Sequence, residues 1–201
     1  MALKHAILAT LLDGEASGYE LAKVFDVAVA DFWRASPQQI YTELRRLEAE
    51  KVIKGRAVAQ ADRPNKRVFK ITRAGRDELY AFTQRETNKS TVRDDLMVKL
   101  QAADFADIDS LIAQLDARAE QSRERAEMFE GLLALQRGDQ NENVHLATSE
   151  RIGPYLTCLR GLLFEQENAV SSEWAAEVLR ARQAGKRPPK VPRGLLPRTS
   201  S

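Results

Sequence analysis

Gln38, Thr42 and Arg45 present an amide, a hydroxyl and a guanidinium at spacings of four and then three residues. At about 100° per residue these positions share one side of a helix. Amides and guanidinium groups bond in pairs to base edges, and a hydroxyl reaches either a base or a phosphate, so this face suits a DNA major groove. Arg46 lies beside the set and Tyr41 on its flank. The stretch that must position them, Ser36 to Lys54 (SPQQIYTELRRLEAEKVIK), reads as one helix. Ser36 is a good N-cap, Pro37 suits the first helical position and Gln39 completes a capping box. Ile40, Leu44 and Leu47 form the opposite, core-facing stripe. Alone, this pattern favours an ordinary surface helix with basic residues on its wet side.

The following residues change that balance. Val52 to Val58 and Arg67 to Thr72 are β-prone runs flanking a polar loop with Pro64 and Asn65, which is a hairpin signal. Arg63, Lys66 and Arg67 lie at or near its tip. From Arg34 to Arg76 there are twelve basic residues against four acidic ones, although the whole chain carries a formal charge of only +2. A basic segment on a nearly neutral chain is an electrostatic footprint for nucleic acid. Helix and basic-tipped hairpin together outline a winged helix. In this reading Gln38, Thr42 and Arg45 contact base edges, while Tyr41, Arg46, Arg63, Lys66 and Arg67 hold the backbone.

The segment resembles the PadR family of transcriptional regulators. The matching residues are Ser17-Gly-Tyr-Glu-Leu21, Phe32-Trp33, Gln39-Ile-Tyr41, Glu43-Leu44, Arg46-Leu-Glu48, Arg67-Val-Phe-Lys-Ile-Thr72 and Ala74-Gly-Arg76. Phe32-Trp33 and Val92-Arg-Asp-Asp-Leu-Met97 look like the phenolic-acid-responsive branch. Gln39 and Thr42 stand where many members carry Gly and Pro around the Ile-Tyr of this helix, which leaves the operator preference open. The resemblance implies a dimeric regulator with C-terminal dimerisation helices of the Vir type. It also implies a small aromatic or phenolic effector held between the two regions, for which Tyr19, Arg93, Leu96 and Met97 are the candidates.

Along the chain, Leu3 to Leu12 reads as a short helix, with His5 at its boundary. Ser17 and Glu20 form a capping box for a second helix whose inner face draws on Tyr19, Leu21, Val24, Phe25 and Ala28. Phe32 and Trp33 plug the small core, and Thr72 caps a helix through Phe82. Residues 86–90 mark a boundary. Val92 to Ala102 reads as a helix. Asp104 or Asp107 starts another, running to about Leu135, and residues 136–143 form a loop. A last long helix begins between Val144 and Pro154. Its stripe, Tyr155, Leu156, Leu159, Leu162, Leu163, Val170 and Trp174, is too wide for two helices to bury alone. A second copy of the chain is the economical cover. The expected organisation is mostly α with a small β-hairpin: a winged helix-turn-helix DNA-binding domain (1–90), a helical dimerisation domain (91–184) and a basic, proline-containing disordered tail (185–201).

Catalytic sets are absent from the pattern. No serine sits in a Gly-x-Ser-x-Gly turn. Asp94 and Asp95 diverge by about 100° on a helix, so a surface or salt-bridging role fits better than shared acid–base work. One cysteine, Cys158, and two distant histidines give no zinc-type ligand set, and neither a metal nor a cofactor is expected. The single thiol, the lack of a signal-peptide pattern and the lack of a membrane-length apolar run point to a soluble cytoplasmic protein. The expected function is sequence-specific DNA binding, most simply by a homodimeric repressor on an inverted repeat. The alternatives are a protein-interaction module without specific DNA binding and a ligand-independent activator of the same family.

Overall fold

The computed structural model describes residues 2–27, 35–59, 66–87 and 93–192. Phe32, Trp33, Arg63, Pro64, Asn65 and Val92 lie outside them. The chain divides into two compact units, Met1–Ser90 and Thr91–Ser201.

The first unit comprises α1 (Ala2–Thr10), β1 (Ala16–Ser17), α2 (Gly18–Val27), α3 (Pro37–Ala49), β2 (Ile53–Val58), β3 (Lys66–Ile71) and α4 (Arg73–Thr83). The strands form an antiparallel sheet in the order β1-β3-β2. Ala16 faces Phe69, and Ile53 faces Ile71 at the base of the hairpin. The core gathers Ile7 and Leu8 of α1, Leu11 just after it, Leu21 and Phe25 of α2, the α3 stripe, and Val52, Ile53, Phe69 and Ile71. Each fully buried aliphatic side chain contributes about 1.5–3 kcal/mol. His5 is buried rather than at the boundary. Its ring stacks on Phe82 with centroids 3.9 Å apart, and its Nε2 lies 3.0 Å from Glu78 Oε1.

Local caps define most helix starts. Ser17 and Glu20 exchange hydrogen bonds at the start of α2, and Thr72 Oγ1 accepts from Gly75 N–H at the start of α4. Helix α3 opens with the full Ser36/Gln39 capping box and Pro37 in its first turn. It stops at Ala49, five residues before the expected Lys54. Lys51 N–H bonds to Glu48 O and Val52 N–H to Leu47 O, with Lys51 at φ 59°. These are the two bonds of a Schellman ending, here with lysine in the left-handed position that glycine usually fills. The β-branched Val52 and Ile53 then turn into the core at the start of the wing.

The second unit contains α5 (Asp95–Gln101), one 3₁₀ turn at Ala103–Phe105, α6 (Ile108–Arg137), α7 (Glu142–Thr148) and α8 (Ile152–Gln183). Asp94 caps α5 and accepts from Arg118, and Asp107 caps α6. The ion pairs Asp116–Arg180, Arg123–Glu173 and Arg125–Glu165 show α6 and α8 running antiparallel. Between them lie two apolar clusters, one with Leu111, Leu115, Ala176 and Leu179, the other with Phe129, Leu133, Tyr155 and Leu162. Buried Ser122, Glu165 and Ser172 add polar positions to the same two helices.

In this pairing α6 and α8 cover part of each other's apolar surface, and some positions expected in the dimer stripe are spent within the chain. Tyr155 and Leu162 are consumed in that intrachain core, and Tyr155 also donates to Glu142 of α7, a helix lying partly in the expected 136–143 loop. Leu159 and Trp174 are half-buried. Leu156, Leu163 and Val170, spaced by seven residues, remain 49%, 55% and 41% exposed. Cys158 is buried, its thiol pushed up by burial.

Candidate nucleic-acid interface

On α3 the stripe Ile40, Leu44 and Leu47 is sealed in the core, so the opposite face is turned to solvent. Gln38, Thr42 and Arg45 are exposed together on it. Arg45 Nε reaches back to Tyr41 O at 3.4 Å. Among the described residues no carboxylate pairs with Arg45. Its guanidinium therefore keeps its charge available for an external acceptor. Tyr41 is 42% exposed and lies against the start of α2, where a Cβ on Gly18 would fall 2.3 Å from its Cε1.

Beside this face an open cleft of about 840 Å³ runs between the start of α2, α3 and β3, with Tyr19, Tyr41, Arg45, Lys66 and Arg67 in its walls. Tyr19 corrects an expectation: it is 72% exposed rather than part of the inner face of α2, because Leu21 and Phe25 take the core positions. Lys66 and Arg67 begin the second wing strand, and Lys66 pairs with Val58.

Of the cations read as backbone contacts, Arg46, Lys66 and Arg67 carry carboxylate partners that the sequence did not reveal. Lys66 Nζ donates to Glu20 Oε1 at 3.2 Å, and Arg67 Nη2 to Glu48 Oε1 at 2.7 Å. Arg46 bridges Glu50 at 2.9 Å and Glu43 at 3.6 Å, and Arg56 holds Glu15 at 2.6 Å. These contacts perturb the acids. Glu20 is lowered to about 2 by the Ser17 backbone N–H, the Ser17 hydroxyl and Lys66. Glu48 is held below the usual carboxylate range by Arg67, against partial burial and with help from Gly55 N–H. Such exposed pairs are individually weak, on the order of 0–1 kcal/mol.

The residues suggested for an effector fall in both units. Tyr19 belongs to the first. In the second, Arg93 and Met97 are exposed while Leu96 is buried against α6 and α8. Among the described residues no group of three or more metal-ligating side chains comes together, and no helix is long and apolar enough to cross a membrane.

A two-stranded wing within a three-stranded sheet, a capped helix with a free polar face and cations on both define a winged-helix DNA-binding protein. Residues 7–81 match the family described as transcriptional regulator PadR-like, and residues 92–181 match the virulence activator alpha C-terminal family. The probable transcriptional regulator Rv1176c of Mycobacterium tuberculosis is 33% identical over 193 residues, spanning 91% of this chain and 98% of that protein. The negative transcriptional regulator PadR of Bacillus subtilis is 37% identical over 98 residues, 48% of this chain and 54% of its own length. The fold matches B. subtilis PadR solved with operator DNA at a TM-score of 0.70 and 24% identity, covering 89% of this chain and 99% of that one. The same protein solved with p-coumaric acid matches at 0.65 and 24%, over 89% and 96%. The Vibrio cholerae virulence activator AphA matches at 0.60 with 28% identity, over 91% and 99%.

The chain belongs to the PadR-like family. It is a DNA-binding transcriptional regulator and not an enzyme.

Proposed function

We propose that the protein is a homodimeric cytoplasmic repressor that reads an inverted-repeat operator and is released from it by a small aromatic acid. The observation that carries the DNA part is the exposed Gln38, Thr42 and Arg45 face, with Arg45 free of any described carboxylate. These three residues read bases. Tyr41, Arg46, Arg63, Lys66 and Arg67 hold the backbone, with Arg46 and Lys66 exchanging their carboxylate partners for phosphates. The basic tail from Lys186 adds sequence-independent attraction.

The dimer is supported by Leu156, Leu163 and Val170, which repeat along the outer side of α8, with Leu159 and Trp174 beside them. The effector is supported by the family resemblance and by the structure of B. subtilis PadR with p-coumaric acid. Of the candidates, Tyr19 is exposed in the first unit, Arg93 and Met97 are exposed in the second, and Leu96 is buried in the second unit's own core. An aromatic acid calls for an apolar ring contact and one cationic or hydrogen-bonding anchor, which these side-chain types include. The test measures sedimentation of the free protein and its complex with a selected duplex, then titrates a phenolic-acid panel containing p-coumaric acid. The expected result is a dimer that releases the duplex as the acid is added. A dimer that holds the duplex at saturating acid favours the second reading, a ligand-independent activator, for which the likeness to AphA speaks.

A further inference from the structure

Of the described cation–carboxylate pairs on this surface, Glu48–Arg67 joins the recognition helix to the wing strand that follows its hairpin loop. Arg46 is paired along its own helix, and Lys66 and Arg56 reach back to Glu20 and Glu15, which precede α3. Glu48 Oε1 accepts twice, from Arg67 Nη2 at 2.7 Å and from Gly55 N–H of the other wing strand at 3.0 Å. One carboxylate oxygen therefore ties the end of α3 to both strands. Residue 55 is cleared for that junction, since a Cβ there would stand 2.6 Å from Glu48 Oε1 and 2.7 Å from Arg67 Nε. The guanidinium carbon of Arg67 also lies 5.9 Å from the Phe69 ring centroid. Arg67 is thus held from two sides, yet its side chain stays 57% exposed with further N–H donors unused.

We propose that Glu48 is a specificity-determining positioning residue: it fixes Arg67 relative to the recognition helix, so that the wing contact is made in full only by a duplex seated in the operator register. This rests on the reading of α3 and the wing as the DNA interface. A free arginine finds a phosphate on any duplex. A guanidinium held in one place meets a phosphate only where the backbone passes that place, and meets it with little further loss of side-chain freedom. Glu48 thereby withholds affinity from random DNA while leaving it to the operator.

The experiment compares the full chain with E48D and E48Q, on the duplex enriched from a random library and on a scrambled duplex, over a range of salt. E48D keeps the net charge but is one methylene too short to hold both Arg67 and Gly55. The ratio of operator to scrambled affinity should fall about fivefold in E48D, within the range of losing one specific contact. E48Q should show the same fall, with a salt slope on scrambled DNA steeper by about one phosphate. In an R67A background E48D should leave the ratio unchanged, because Glu48 acts through Arg67. Thermal melts of each variant separate this from loss of folding. A ratio unchanged in E48D, or an equal fall in the R67A background, overturns the proposal while the wild-type preference stands. A wild-type chain that prefers no duplex overturns the reading of the interface itself.

Discussion

Helices α3 and α8 bury their apolar residues to different extents. In α3 the stripe Ile40, Leu44 and Leu47 disappears into the core of its own unit, and what remains outside is amide, hydroxyl and guanidinium. In α8 one stripe is spent on α6, yet Leu156, Leu163 and Val170 stay outside. The free face of α3 asks for a polar, hydrogen-bonding partner. That of α8 asks for an apolar one, since an exposed aliphatic row favours association. The two helices also end alike and differently: both close with Schellman bonds, but α8 places Gly185 at φ 62° where α3 places Lys51.

The largest change that breaks the comparison is inside α3. Leu44→Ala should cost the first unit about 2–5 kcal/mol in a urea melt, and remove operator binding with it. On the outer side of α8, Leu163→Glu should leave the protomer's stability within about 0.5 kcal/mol. It should weaken self-association by about 1.5–3 kcal/mol in sedimentation equilibrium, as expected for exposing a leucine that a partner had covered. The outer side of α3 separates two kinds of contact. Arg45→Ala should cost about 1–3 kcal/mol and relax preference at one base position. Lys66→Ala should weaken all duplexes alike and lower the salt slope by about one.

Smaller effects sharpen the contrast of helix ends. Lys51→Gly should raise the stability of the first unit by about 0.5–1 kcal/mol, because the left-handed position strains a lysine more than glycine's entropy costs. Acid titration probes the start of α2. Glu20 is lowered from 4.5 to about 2 by its cap and Lys66 contacts, so its contribution to folding is full above about 4.5. It fades as pH falls through about 2, and Glu20→Gln should remove that part of the acid dependence of the melting temperature.

What the sequence disclosed was the local chemistry. The Ser36/Gln39 and Ser17/Glu20 boxes and the Thr72 cap each lie within three residues of the N–H they satisfy, so residue order alone reveals them, whereas for α6 it left Asp104 and Asp107 open and the cap is Asp107. The end of α3 was hidden because Lys51 occupies the position where glycine gives the signal. Strand β1 was hidden because its two residues pair with Val68 and Phe69, far along the chain. The same distance concealed half of the interface. The cations stood out as a cluster, but Lys66–Glu20, Arg56–Glu15 and Arg67–Glu48 are separated by 46, 41 and 19 residues. The periodicity of α8 marked it as amphipathic. Which positions belong to α6 and which remain outside depends on the packed partner, so Tyr155 and Leu156 looked equivalent until the pair was formed.

The most direct test of the α3 face is selection of the wild-type chain and its Arg45→Ala variant on a random duplex library at two salt concentrations. The account predicts an enriched inverted repeat with half-sites about one helical turn apart, or a multiple of it. Binding should fall steeply with salt, and the variant should lose preference at one position of each half-site. Enrichment of no sequence, or a variant that enriches the same repeat with the same preferences, would contradict the assignment of this face to base reading.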